Sequence, residues 1–308
     1  MRHIRTILRA AEPAGPGIRL LTLMDPDGWP LPRFRPGAHI DLHLPNGLVR
    51  AYSLCGDPAE ADRWRVAVKR EDAGRGGSAW LHDGLAVGGE LSVSLPRCTF
   101  PLAAGARRHL FLAGGIGVTP FLSMAAALDR AGGDYLLHVL HRGAVPMPAQ
   151  LAPLLARGQA VLHDTGAGRP DLAALLGPPE TGVQAYACGP AGLLADFEAI
   201  WPVEQAQVEH FVPPPLAPAP DARPFTLVLA RSGRSMDLPA GTPLLPALRA
   251  LGAAVEASCE GGICGACRVR WLEGPPIHRD RVLKPAERAT DCMACVAGCA
   301  GPRLVLDL

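Results

Sequence analysis

Ser258-Cys259-Glu260-Gly261-Gly262-Ile263-Cys264-Gly265-Ala266-Cys267 organises the reading of this chain. Four residues separate its first two cysteines and two separate the next pair. That C-x4-C-x2-C spacing is that of a plant-type [2Fe-2S] site, which takes one more thiolate further on. A two-iron cluster is small, so three sulfurs must converge from one tight loop. Gly261, Gly262 and Gly265 give the backbone that freedom and leave N–H groups to point at sulfur. Cys292, Cys295 and Cys299 are the candidates for the fourth ligand, and spacing alone does not choose among them. Cys292-Met293-Ala294-Cys295 also has the C-x2-C form of half a zinc site. Cys55, Cys98 and Cys188 are scattered and read as small buried residues.

The chain has 308 residues, enough for two or three domains with cores of their own. Its net charge of +1 implies no nucleic-acid or acidic-lipid surface. No apolar run of signal-peptide length opens it, and thiols in this number fit a reducing, cytoplasmic setting. Leu110 to Leu128 is 19 residues without a charge, near the span of a bilayer. Gly114, Gly115, Gly117 and Pro120 break it, so strand, turn and helix are expected there.

Residues 1–103 read as an antiparallel β-barrel, with short strands at 18–23, 38–44 and 65–69 separated by Pro-Asp-Gly and Pro-Asn-Gly turns. Arg50-Ala51-Tyr52-Ser53-Leu54 and Gly74-Arg75-Gly76-Gly77-Ser78 together read as a flavin site. Tyr52 and Ser53 face the ring, Arg50 the phosphate side, and the glycine turn opens a short helix toward an anion. Ser78 is expected to add a hydroxyl donor there.

Residues 104–211 read as an α/β domain. Leu110-Phe111-Leu112-Ala113 is a buried strand. The turn Gly114-Gly115-Ile116-Gly117-Val118-Thr119-Pro120 then leads to a helix from Phe121 to Ala131, with Thr119 as N-cap and Pro120 in the first turn. The turn lacks the third glycine of G-x-G-x-x-G but suits a pyrophosphate. Arg142 follows the strand Tyr135 to His141, where a ribose is read. Cys188-Gly189-Pro190 ends the last strand of the unit, at the edge where such sheets bind ligands. Residues 212–224 are a proline-rich linker, with five prolines between 212 and 220. Residues 225–308 read as a β-grasp ferredoxin domain. It carries ten basic and eight acidic residues, so no strongly acidic docking face is expected.

In this order the motifs resemble the phthalate dioxygenase reductase and vanillate demethylase reductase family, end to end. The residues that carry the likeness are Arg50 to Cys55, Ala67-Val68-Lys69-Arg70, Gly74 to Ser78, Gly114 to Pro120, Cys188-Gly189-Pro190, the cysteine loop, His278-Arg279-Asp280 and Leu304 to Leu308. The resemblance implies FMN rather than FAD, NADH, a C-terminal plant-type cluster, a Rieske-type oxygenase as partner and a monomeric reductase. It implies flavin contacts from Ala67, Val68 and Lys69, and nicotinamide contacts from Gly115, Gly117, Thr119, Pro120, Cys188, Gly189 and Pro190. Counting back from the terminal motif, it selects Cys295 as fourth ligand beside Cys259, Cys264 and Cys267, with 27 residues between Cys267 and Cys295. Ser53 near flavin N5 and Cys188 beside the nicotinamide are the expected catalytic contacts. One departure is that Gly143, not a carboxylate, follows Arg142, which leaves NADPH possible.

Electron counting orders the parts: hydride from a nicotinamide to a flavin, then single electrons to the cluster and out to a partner. Two other reductase readings differ only downstream or in spacing. One feeds a P450 or another oxygenase. The other, a dihydroorotate dehydrogenase subunit, has a shorter gap before its fourth cysteine. A non-enzymatic carrier or redox sensor would need neither the flavin nor the nicotinamide motifs.

Overall fold

The computed structural model describes residues 3–216 and 219–308, so Met1, Arg2 and the linker residues Ala217 and Pro218 lie outside the described residues. Two compact units make up the chain, Met1–Val212 and Pro213–Leu308. In the first, strands β1 (His3–Pro13), β2 (Ile18–Met24), β3 (His39–His43), β4 (Val49–Ser53), β5 (Trp64–Lys69) and β6 (Glu90–Ser94) form an antiparallel sheet of order β4-β3-β6-β1-β2-β5. Helix α1 (Gly77–Asp83) lies between β5 and β6 in the chain. A bridge between Leu54 and Val66 joins the two edge strands, so the sheet closes into the expected barrel.

The alternation of side chains on β2 explains how the barrel is used. Leu21 and Leu23 point inward and pack with Leu8, Ile40 and Trp64. Ile18 and Leu20 point the other way, into a cluster with Phe111, Phe121 and Met124. On β5 the pattern repeats, with Val66 and Val68 inside and Ala67 in the outer cluster.

That outer cluster belongs to the second layer of the same unit. Strands β7 (Arg108–Gly114), β8 (Asp134–His141), β9 (Ala160–Asp164), β10 (Val183–Cys188) and β11 (Ala206–Glu209) form a parallel sheet of order β11-β10-β7-β8-β9. Helices α2 (Thr119–Ala131), α3 (Pro148–Ala156), α4 (Leu172–Leu176) and α5 (Ala191–Ile200) connect the strands. The order reverses beside β7, between β7 and β10, which makes the carboxyl ends of those two strands the crevice where open α/β sheets bind ligands.

The stretch from Leu110 to Leu128 is strand, a short 3-10 turn and helix, as its glycines require. No helix among the described residues is long and apolar enough to cross a membrane. One detail differs from expectation. Thr119 is not the N-cap of α2 but its first helical residue, because the 3-10 turn Gly115–Val118 runs straight into the helix. Its hydroxyl donates back to the Ile116 carbonyl at 3.1 Å.

In the second unit, β12 (Phe225–Leu229), β13 (Ser235–Leu238), β14 (Arg268–Glu273), β15 (Pro276–Ile277), β16 (Asp291–Met293), β17 (Gly298–Cys299) and β18 (Arg303–Leu306) are joined by α6 (Leu244–Ala250) and α7 (Pro285–Arg288). Five strands make a mixed sheet of order β13-β12-β18-β14-β16, and β15 pairs with β17. Phe225, Leu227 and Leu229 alternate onto one face and meet Leu244, Leu245 and Leu248 of α6. A small mixed sheet closed by one helix is the expected β-grasp.

Gly37 sits where the barrel meets α2. Its φ is +80°, and a Cβ there would stand 2.1 Å from the Phe100 carbonyl oxygen and 2.6 Å from Met124 Cε. Gly47 has almost the same φ, +79°, and open space around it. G37A is expected to destabilise the first unit by ~3 kcal/mol or more, against ~1 kcal/mol for G47A, where only the left-handed backbone is penalised. Denaturant titration of the full chain distinguishes the two.

Candidate functional site

The barrel contributes one half of the first site. Arg50 on β4 donates from Nη1 to the Val49 carbonyl at 2.8 Å and from Nη2 to the Arg75 carbonyl at 2.9 Å. A Cβ on Gly77 would fall 2.6 Å from Arg50 Cγ, so the glycine turn lies directly against this arginine. Gly76 opens α1 with a left-handed φ of 78°. The sequence motifs are 25 residues apart, and the barrel brings them together as a cationic cradle with backbone N–H groups at its rim. A phosphate end fits that cradle. The Ser78 hydroxyl accepts the Glu71 N–H at 3.0 Å, which closes the loop. Tyr52 is half-buried, and its hydroxyl is pushed up to about 12 by burial, with the Arg50 charge opposing.

The three residues expected from β5 divide by side. Ala67 packs in the cluster shared with the α/β layer. The Val68 side chain is fully buried inside the barrel and its carbonyl bonds His82 Nε2 at 2.9 Å, so Val68 offers no side chain to a ligand outside. Lys69 is exposed and pairs with Glu71 at 2.8 Å.

The α/β layer contributes the other half, at the crevice between β7 and β10. A Cβ on Gly117 would stand 2.2 Å from the Cys188 carbonyl oxygen, and one on Gly114 would stand 2.6 Å from Pro190 Cδ. Glycine is required at both positions because two turns touch backbone to backbone. This brings Gly115, Gly117, Thr119 and Pro120 into one place with Cys188, Gly189 and Pro190. Gly114, Gly117, Thr119 and Pro120 are themselves buried, so the open surface of the turn is that of Gly115 and Ile116. Cys188 is fully buried, and burial together with the Glu209 charge pushes its thiol well above the ordinary range.

Glu209 is the residue that the sequence reading missed. It ends β11, pairs in register with Cys188, and accepts a hydrogen bond from the Ser53 hydroxyl at 3.4 Å. Burial pushes its carboxyl up to about 8, against a lowering by the Ser53 hydroxyl. Ser53, Cys188 and Glu209 therefore meet, one from the barrel and two from the parallel sheet. The only sequence signal was a carboxylate ending a four-residue apolar-polar run, Ala206 to Glu209, too short to read as a strand.

At the end of β8, Arg142 is exposed. A carboxylate is nearby after all. Asp164, ending β9, accepts N–H bonds from Gly166 at 2.9 Å and Gly143 at 3.2 Å. Those two bonds, with the His141 and Arg142 charges, hold its carboxyl below the usual range.

The cysteines of the second unit sort themselves by contact. The thiol of Cys259 lies beside those of Cys264 and Cys295, and the thiol of Cys267 lies beside that of Cys295. Gly261 N–H points at Cys259 Sγ and Cys295 N–H at Cys267 Sγ, both at 3.4 Å. Among the described residues, no three such side chains converge on a point suited to a single ion. Four thiols gathered from one loop and one later turn fit the four-thiolate set of a plant-type cluster. Cys292 and Cys299 stay apart. Cys292 is fully buried in the core and its thiol is raised to about 12, mainly by burial. Cys299 Sγ accepts the Gly301 N–H at 3.3 Å. Gly262 and Gly265 take the left-handed angles expected of them, with φ of +73° and +78°, and Gly261 does not. Glu260 also takes a positive φ, 54°, while its carboxylate pairs with Arg249 at 2.7 Å.

A carboxyl raised by burial binds its proton more tightly folded than unfolded. Glu209 therefore supports the fold below about pH 4, and that support is lost as pH rises toward 8. E209Q is expected to flatten the fall in stability between pH 5 and 9 and to exceed the parent by ~2 kcal/mol or more at pH 9. Thermal melts across that range measure it.

Comparison with known proteins agrees with this geometry. Residues 227–299 match the 2Fe-2S iron-sulfur cluster binding domain. The heme-dependent oxidative N-demethylase beta subunit of Ectopseudomonas mendocina (strain ymp) is 42% identical over 286 residues, 90% of each chain. Phthalate dioxygenase reductase of Burkholderia cepacia is 36% identical over 317 residues, 99% of this chain and 97% of that one. A solved phthalate dioxygenase reductase, described as a modular structure for electron transfer from pyridine nucleotides to [2Fe-2S], superposes with a TM-score of 0.73 at 35% identity over 99% of this chain and 98% of that one. An intact type IV self-sufficient cytochrome P450 monooxygenase superposes with a TM-score of 0.89 at 38% identity; it covers 99% of this chain, which spans only 41% of that protein. Gathered thiols, a glycine-lined crevice and a barrel cradle occur here in one chain that matches these proteins over nearly all its length, and the chain belongs to the phthalate dioxygenase reductase family of flavin- and [2Fe-2S]-containing oxygenase reductases.

Proposed function

We propose that this chain is the reductase component of an oxygenase system, with NADH as donor, FMN and a [2Fe-2S] cluster as resident cofactors, and a Rieske-type oxygenase as acceptor. The observation that carries the reading is the Ser53–Glu209 hydrogen bond of 3.4 Å, because it joins the barrel rim to the crevice of the parallel sheet. A flavin held by the first and a nicotinamide held by the second would meet there. Flavin chemistry supplies the exchange between two-electron hydride and single electrons.

The chain's own residues position and exclude. Arg50, Gly76 and Gly77 hold the phosphate end, and Tyr52 and Ser53 line the ring. Gly115 and Gly117 receive a pyrophosphate, with Thr119 and Pro120 fixing the turn beneath it. Cys188 closes the crevice floor, and Glu209 keeps or releases a proton beside Ser53. Cys259, Cys264, Cys267 and Cys295 hold the cluster. The division of labour follows residues 1–103 for flavin, 104–211 for nicotinamide and 225–308 for the cluster. NADH is preferred over NADPH because Asp164 stands beside Arg142 and would repel a 2′-phosphate while accepting a ribose hydroxyl. Nine cysteines, all free, suit a cytoplasmic protein.

A plant-type cluster near about −400 mV donates downhill to a Rieske centre at roughly −150 to +300 mV. A heme oxygenase is the second reading, because the Ectopseudomonas mendocina relative is named a heme-dependent demethylase subunit. Two experiments test the proposal. Anaerobic NADH titration is expected to bleach flavin and cluster bands with about three electrons per chain, two for flavin and one for the cluster. Bleaching by NADPH alone would reverse the donor, and reoxidation by a heme partner but no Rieske protein would favour the second reading. C295S is expected to lose the visible iron-sulfur spectrum, whereas C292S and C299S keep it with iron content unchanged.

A further inference from the structure

His278-Arg279-Asp280 is a sequence motif to which the reactions above give no task. It lies on the segment between the cysteine loop and Cys295, and this segment touches Gly262 of the loop and Val296 beside Cys295. Arg279 Nε donates to the Val296 carbonyl at 2.7 Å, one residue beyond Cys295. The Arg281 N–H donates to the Gly262 carbonyl at 3.0 Å, in the middle of the cysteine loop. Gly262 is where the three segments meet. A Cβ there would stand 2.9 Å from Val296 Cγ2 and 3.1 Å from Asp280 Cα.

The segment is itself held rigidly. Asp280 is buried, and its Oδ2 accepts the N–H groups of Val282 at 3.2 Å and Leu283 at 2.8 Å. Arg288 Nη2 donates to the Asp280 carbonyl at 2.9 Å. Cys295 has a link of its own to the loop, through its N–H to Cys267 Sγ at 3.4 Å, and Val296, whose carbonyl Arg279 holds, is the next residue.

We propose that Arg279 is a positioning residue for the cluster. It acts through the Val296 carbonyl to hold Cys295 at a set distance from the cysteine loop, while the Arg281 N–H holds the loop through Gly262. The proposal rests on the ligand set assigned above. Its consequence is that Arg279 sets the geometry and potential of the cluster without touching it. Groups that hydrogen-bond a metal ligand directly alter metal affinity by about 10–100-fold, and Arg279, which bonds the residue next to a ligand, is expected at the low end of that range.

The test uses the full, cluster-bearing chain and the variants R279L and R279K. R231L is the control for loss of an arginine contact elsewhere in the same unit, because Arg231 pairs with Asp307 at 2.8 Å. Iron release to a chelator, the midpoint potential and the electron paramagnetic resonance of the reduced cluster are read for each. R279L is expected to release iron about tenfold faster or more, with a shifted potential and altered g-values. R279K keeps one donor without the planar fork and is expected to fall between R279L and the parent. If R279L loses stability but matches R231L in potential and spectrum, Arg279 is merely structural and the proposal is overturned. If R279L cannot be obtained with its cluster, R279K decides alone, and parent-like release and potential in R279K overturn it. A parent chain with no iron-sulfur spectrum would instead sink the ligand assignment itself.

Discussion

The first unit depends on apolar side chains that leave the barrel in the wrong direction. Ile18 and Leu20 on β2, and Ala67 on β5, turn away from the barrel interior and pack with Phe111, Phe121 and Met124 of the α/β layer. A barrel strand ordinarily shows one buried face; β2 shows two. The cost of exposing that second face ties barrel and sheet into one body, since each fully buried Leu or Ile is worth about 1.5–3 kcal/mol. The Ser53–Glu209 contact exists only because of this packing. Neither residue is near the other in sequence, and neither belongs to the other's sheet.

The crevice follows from the same packing. Parallel strands place loop ends on one edge, and the reversal of order between β7 and β10 opens a gap there. Glycine keeps that gap accessible. Gly114 and Gly117 are pressed so closely on Gly189, Pro190 and Cys188 that any side chain would push the two turns apart. The charge distribution is equally economical. Arg50 supplies the cation at one end, and Glu209 supplies a carboxyl whose proton is held into the neutral pH range by burial.

In the second unit the controlling constraint is the approach of three segments at Gly262. A loop that must offer three sulfurs to a two-iron cluster has little room for side chains at its turns. The left-handed angles at Gly262 and Gly265 provide the turns, and the absent Cβ at Gly262 admits Val296 and Asp280. The placing of Cys259 beside Cys264, and of Cys267 beside Cys295, is the outcome of that geometry. Cys292 and Cys299 are excluded by strand alternation and by local bonds. Cys292 faces the hydrophobic core from β16, while Cys299 is turned to the Gly301 N–H from β17.

Much was legible in the residues alone, because the signals are local. The C-x4-C-x2-C loop, the glycine turn after Leu110-Phe111-Leu112-Ala113 and the turn chemistry of the barrel each depend on neighbours within one loop or strand. They determined three kinds of element in a given order, and from them the chemistry of the chain. Tertiary structure decided what is non-local. It set the Cys295 N–H against Cys267 Sγ, brought Glu209 to Ser53 across two sheets, and turned Val68 inward and Ser78 back upon Glu71. It also set Asp164 beside Arg142 where the sequence shows only Gly143. In each case the deciding quantity is a separation between strands adjacent in space and distant along the chain. Local propensity carries no record of that separation, because packing of whole faces fixes it.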